Sequence, residues 1–138
     1  MTPLQARLFE PVIAVHVLAA VLAVCLGLLV LAARKGTPLH RRAGRAWVVA
    51  MTVTAAGSFL IDAQLLGIDT PLGRFGPIHL LSAGTLVALG RAIVAVRAGR
   101  VAEHRRAMIG AYAGLAVAGL FTVAPGRTLG AWLAAALA

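Results

Sequence analysis

"LHRRAGRAW", residues Leu39–Trp47, and "EHRRAMIGAY", residues Glu103–Tyr112, are the stretches that decide the fold. Each places a histidine and two adjoining arginines ahead of a run of Ala, Val, Gly and Leu. The surroundings set their meaning. Of 138 residues, 61% are hydrophobic and only 12% are charged, with a mean hydropathy of +0.94. A soluble domain is nearer about 25% charged, and one this small could not hide so much apolar surface in a single core. The chain is therefore expected to be one integral membrane domain over residues 1–138. Its net charge of +9 is to be judged by position. Nucleic acid is excluded as a partner, because no soluble basic face remains once the apolar runs are removed. The lone Cys25 lies mid-run and has no partner for an intrachain disulfide.

Four apolar runs are expected to span the bilayer: about residues 11–33, 46–66, 77–96 and 108–124. Each is near the roughly 20 residues that cross a hydrocarbon core. The first is expected to be a retained helix, since its basic residues follow it and do not precede it as in a signal peptide. The apolar tail, residues 128–138, follows Pro125 and Gly126. It is either a kinked extension of the fourth helix or a short interfacial helix anchored by Trp132.

Charge sets the orientation. Ten of the 13 basic residues fall within 34–45 or 91–106, whereas Glu10, Asp62 and Asp69 lie on the other side and only Glu103 shares the basic side. Loops rich in Lys and Arg stay in the cytoplasm. The expected location is thus a bacterial inner membrane, with both HRR phrases cytoplasmic. Both termini and the Asp62–Gly76 loop would be outside, in the periplasm.

The phrases also mark a repeat. At an offset of 63, His16 falls on His79, Gly27 on Gly90 and Arg34 on Arg97; with one insertion, His40-Arg41-Arg42-Ala43 falls on His104-Arg105-Arg106-Ala107. Two helices per unit give parallel topology. The fold class expected is all-α: an integral membrane four-helix bundle built from two tandem, parallel helical-hairpin repeats.

"GTPLHRRAGRAWVVAMTVTAAGSFLI" and "RVAEHRRAMIGAYAGLAVAGL" resemble the two halves of the uncharacterised membrane proteins grouped as domain-of-unknown-function family 2306. The resemblance runs from the first span to the fourth and rests on an HRxxG phrase after span one and an HRRxM phrase before span four. It implies a small four-helix membrane bundle and brings no activity with it.

Chemistry must come from the residues. In an up-down bundle, spans one and three are diagonal, as are two and four. His16 and His79 would then face each other near the outer side, and His40 and His104 near the inner side. Facing histidines can supply the two axial ligands of a haem, with His16 and His79 on the iron. Small residues beside them (Ala20, Ala23 and Gly27; Ala83 and Gly90) leave room for a macrocycle edge, and Arg41, Arg42, Arg105 and Arg106 could pair with haem propionates. The function so implied is a b-type dihaem electron-transfer protein, with haem b and a quinone or redox partner. Asp62 and Gln64 could orient an outer histidine or hold a quinone headgroup. Arg91 is expected to snorkel towards the inner side.

A plainer reading stands beside it. Small-residue stripes are ordinary helix-packing faces, Gly110 and Gly114 among them, and HRR at a helix start suits lipid phosphate. The protein is then an accessory or assembly subunit, packed on a larger membrane complex or on copies of itself without a cofactor. A small transporter or sensor is a further alternative. No hydrolase or transferase motif is present, so any activity would be that of a membrane oxidoreductase or electron carrier.

Overall fold

A computed structural model describes residues 11–62, 67–71, 73–124 and 128–137. Helices α1 (Pro11–Ala32) and α2 (Pro38–Ser58) are followed by strands β1 (Ile68–Thr70) and β2 (Gly73–Phe75), then α3 (Pro77–Arg97), α4 (Val101–Val123) and α5 (Thr128–Leu137). Packing runs α1–α2, α2–α3, α3–α4 and α4–α1, and α5 leans on α4. The four long helices therefore close a ring with α1 diagonal to α3 and α2 to α4. One end carries the β-hairpin. The other carries the two short connections and most of the arginines.

The bundle is apolar outside and small inside. Its core is Ala23, Trp47, Met51, Leu89, Ala111 and Leu115, with Ala92 and Ala95 fully enclosed. Larger side chains point outward: Leu80 is 77% exposed and Leu120 70%. In water such a surface would drive aggregation. In lipid it is the expected surface, and small inward residues let the backbones approach. Among the described residues three helices, α1, α3 and α4, are long and apolar enough to cross a membrane.

Helix α2 does not meet that measure, and the reason corrects the expected second span, 46–66. Thr37 caps the helix: its Oγ1 accepts from the His40 N–H at 3.2 Å and donates to the Arg34 carbonyl at 2.7 Å, with Pro38 in the first turn. The helix thus starts eight residues early, and His40, Arg41, Arg42 and Arg45 occupy its first two turns. It ends at Ser58, where Phe59, Leu60 and Ile61 close i→i−3 turns on Ala56, Gly57 and Ser58. Residues 63–66, including Gln64, lie outside the described residues.

The fourth span, expected over 108–124, likewise begins earlier, at Val101, so that His104 and its arginines are helical. The preceding helix stops in a Schellman arrangement: Gly99 adopts φ 73°, its N–H donates to Val96, and the Arg100 N–H donates to Ala95. Lys35 Nζ does the same service for α1 by reaching the carbonyls of Val30, Leu31 and Ala33 at 2.7–3.1 Å. Ala124 is extended (φ −62°, ψ 150°), as suits the residue before a proline. Helix α5 is therefore a separate helix and not a continuation of α4; the Pro125–Gly126 junction and the Trp132 side chain lie outside the described residues, as do residues 1–10.

A short β-hairpin forms part of the Asp62–Gly76 loop of the otherwise helical chain. Ile68 pairs with Phe75, Asp69 with Arg74 and Thr70 with Gly73, antiparallel. Gly73 sits at φ 119°, a conformation that glycine alone adopts without strain. Asp62 Oδ1 accepts the Arg74 N–H at 2.8 Å and ties the hairpin to the end of α2.

Candidate functional site

The four histidines have different surroundings, and one of them, His79, ties a helix junction. His79 is 4% exposed and is the third residue of α3. Pro77 starts that helix, so the ring folds back over the cap. Nδ1 accepts from the Gly76 N–H at 3.0 Å, and Nε2 lies 3.2 Å from the Ile61 carbonyl. An accepting Nδ1 leaves the proton on Nε2, which donates to Ile61. Phe75 and Phe59 stack around the ring at 4.6 and 5.7 Å. His104, in α4, bonds through Nδ1 to the Ala92 carbonyl of α3 at 3.0 Å. His16 lies beside the Thr54 backbone of α2. Its Nδ1 is buried without a partner, above Gly57, where a Cβ would stand 3.6 Å away. His40 Nδ1 is also buried and unpartnered.

These contacts bear on haem geometry. Bis-histidine ligation requires a ring nitrogen from each partner. At the hairpin end His16 keeps Nδ1 unengaged, whereas His79 has both nitrogens in use. At the basic end Trp47, Ala43, Ala92 and Ala95 fill the core. Arg41, Arg42, Arg105 and Arg106 are exposed in the first turns of α2 and α4. Asp62 engages the hairpin backbone and not a histidine.

What the histidine pattern missed is a cavity of about 1310 Å3 at the hairpin end, lined by all four long helices and by the hairpin. Met51 and Leu115 form its floor, and Asp62, Asp69 and Arg74 stand at its mouth. His16 lines it; His79 is not among its lining residues. On the α1 and α4 sides its lining includes exposed residues, Val21, Val24 and Cys25 of α1 and Gly119 and Val123 of α4. Those helices meet further down, where Tyr112 packs over Gly27 and its hydroxyl reaches the Val24 carbonyl at 3.5 Å. The cavity therefore opens sideways, towards lipid.

Its walls are apolar with a sparse polar line. Thr54 Oγ1 donates to Ala50, Thr85 to Leu81 and Thr122 to Gly119, all at 2.7–2.9 Å. Ser58 and Ser82 lie 2.7 Å apart and bridge α2 to α3, with Ser58 also 2.7 Å from the Ala55 carbonyl. A hydroxyl has one hydrogen. With that hydrogen spent on its own helix, each threonine offers the cavity only acceptor lone pairs.

An apolar exterior, a small-residue interior and a laterally open cavity define a helical membrane protein. The chain matches the family model described as "Predicted membrane protein (DUF2306)" over residues 13–131 and belongs to that family. No curated protein and no solved structure matches it.

Proposed function

We propose that the protein is a membrane-embedded binding protein for a long apolar molecule with a hydroxyl-bearing head, of the quinol class. The hairpin-end cavity carries this reading. Its volume exceeds the roughly 300–1,000 Å3 of most small-ligand sites, it opens towards lipid, and its threonines present acceptors that call for a donor. A quinol supplies two hydroxyls. Its tail would leave between α1 and α4, past Val21, Cys25 and Gly119.

The test is to purify the protein in mild detergent, extract what it carries, and titrate it with a short-chain quinol and with the dimethyl ether of that quinol. The ether should bind at least about tenfold more weakly, because it leaves buried acceptors unpaired. Ala118→Trp, which fills the cavity from α4, should abolish binding while helicity is retained. Equal affinity for quinol and ether would overturn the proposal.

The haem reading is the second one, supported by His16 beside the cavity with Nδ1 unengaged. It requires His79 to exchange its bonds to Gly76 and Ile61 for iron. The visible spectrum of the same preparation separates the two: a haem band that is lost in His16→Ala supports haem, and a colourless protein from haem-replete cells ends it. A cofactor-free accessory subunit would carry neither haem nor quinol.

We further propose a bacterial inner-membrane location, with the hairpin end and both termini periplasmic, on the strength of the arginines gathered at the opposite end. Reporter fusions after Gly36 and Gly99 should score cytoplasmic and a C-terminal fusion periplasmic; a cytoplasmic C-terminus would reverse the orientation. The tandem duplication is proposed on the same footing. Burial supports it for α2 and α4, where Trp47 and Met51 match Ala111 and Leu115 as inward residues. For α1 and α3 the match is weaker, since Gly27 is enclosed and Gly90 open.

A further inference from the structure

We infer that the hollow between α3 and α4 at the basic end is a binding site for the phosphate of an anionic phospholipid. It is separate from the hairpin-end cavity and does not depend on what fills it. The hollow has a volume of about 430 Å3 and is lined by Ala88 and Arg91 of α3 and Glu103, Arg106 and Ala107 of α4.

Position is the first argument. Arg91 lies six residues inside the end of α3 at Arg97, roughly 9 Å at 1.5 Å per residue. Arg106 lies five residues inside the start of α4, roughly 7.5 Å. Both guanidinium groups therefore start from below the level of the loop. Exposed Val87, Val94 and Ile109 flank them on the outer surface, so the hollow faces lipid and not the bundle interior. Charge this deep needs a counter-ion or a path to the interface.

Charge balance is the second. Glu103 is the acid among the lining residues, and it is already held by Arg100 at 2.8 Å. Arg91 reaches it only at 3.9 Å. Arg106 makes no ion pair among the described residues. One carboxylate thus stands among three cations, shared unequally by Arg100 and Arg91 and not reached by Arg106, so positive charge is in excess at the hollow. A phosphate diester at interfacial depth would balance it, since guanidinium groups pair with phosphate oxygens in a planar fork.

Shape is the third. Ala88 and Ala107 make the floor, so no side chain occupies the space between the arginines. A glycerol backbone could rest on that apolar floor with its acyl chains running along Val87. A free phosphate ion would satisfy the arginines equally and would make no use of the floor.

The experiment titrates the full-length protein in mild detergent with phosphatidylglycerol or phosphatidylcholine and counts bound lipid by native mass spectrometry. Phosphatidylglycerol should bind more tightly. Arg91→Gln and Arg106→Gln should each weaken it roughly fivefold, whereas Arg97→Gln, at the exposed end of α3, should change little. Glu103→Gln should bind at least as tightly as the parent, because it removes a competing anion. Circular dichroism checks that each variant stays helical. Equal affinity for the two lipids, or an Arg97→Gln loss as large as the other two, would overturn the site. Displacement of bound phosphatidylglycerol by inorganic phosphate would overturn the lipid assignment.

Discussion

His79→Ala is expected to lower stability by about 3–5 kcal/mol, the largest single loss among the four histidines. The ring is enclosed, and its removal does three things together. It leaves the Gly76 N–H and the Ile61 carbonyl without their partner. It empties the space between Phe59 and Phe75. It also unpins the start of α3 from the end of α2, where the hairpin is attached through Asp62 and Arg74. Thermal unfolding in detergent, followed by circular dichroism, measures the loss. Proteolysis after Arg74 gives a local readout: cleavage should accelerate in the variant before the helices melt. His104→Ala removes one interhelical bond from a half-buried ring and should cost less. If the two variants melted together, or if the hairpin stayed protected in His79→Ala, the junction role of His79 would be refuted.

Gly27→Leu should be nearly as damaging. A single Cβ at this position would overlap the Tyr112 ring and come within 2.8 Å of Trp47 Nε1. Trp47 is 3% exposed and sits in the core, so it has little room to retreat, and Tyr112 packs on it at 6.5 Å. Overpacking of this kind costs about 1–3 kcal/mol for a small addition and more for a larger one. Gly27→Ala should therefore sit at the lower end and Gly27→Leu beyond the upper. Tyr112→Leu should restore part of the Gly27→Ala loss, a coupling that a double-mutant cycle detects. Gly90→Ala is the contrast. Nothing lies within 4 Å of its added Cβ, so its effect should be neutral or slightly favourable. Equal losses at Gly27 and Gly90 would contradict the packing.

These two sites mark where the sequence was legible and where it was not. Composition and the four apolar runs point to a helical membrane bundle because lipid exposure demands large apolar residues and close helix approach demands small ones, and both are written in residue types. Helix boundaries are also written, a start in Thr37-Pro38 and a stop in Gly99. The expected second span missed the first because averaged hydropathy follows the apolar stretch and is blind to a cap that pulls arginines into the helix. Histidine scarcity singles out His16, His40, His79 and His104 but says nothing of their partners. His79 turns back on Gly76 because Pro77 makes it the third helical residue, a signal present in "GPIH". The hairpin signal was the short "IDTPLGRF", too brief to stand out among helices. The cavity could not be anticipated, since it depends on how α1 and α4 separate beyond Gly27, which no single residue encodes.

The early start of α2 reaches beyond the protein. With His40, Arg41, Arg42 and Arg45 in its first turns, the apolar helical reach of this flank is Ala46–Ser58, 13 residues, or roughly 20 Å at 1.5 Å per residue. A hydrocarbon core is about 30 Å thick. By the same measure α4, with Arg105 and Arg106 near its start, is apolar over Ala107–Val123, 17 residues, or roughly 26 Å, whereas α1 runs 22 residues without a charge, roughly 33 Å. Lipids beside α2 and α4, on diagonal flanks of the ring, must compress or tilt while those beside α1 need not. The protein would then sit in the bilayer with a saddle-shaped rim, thinned on two opposite sides.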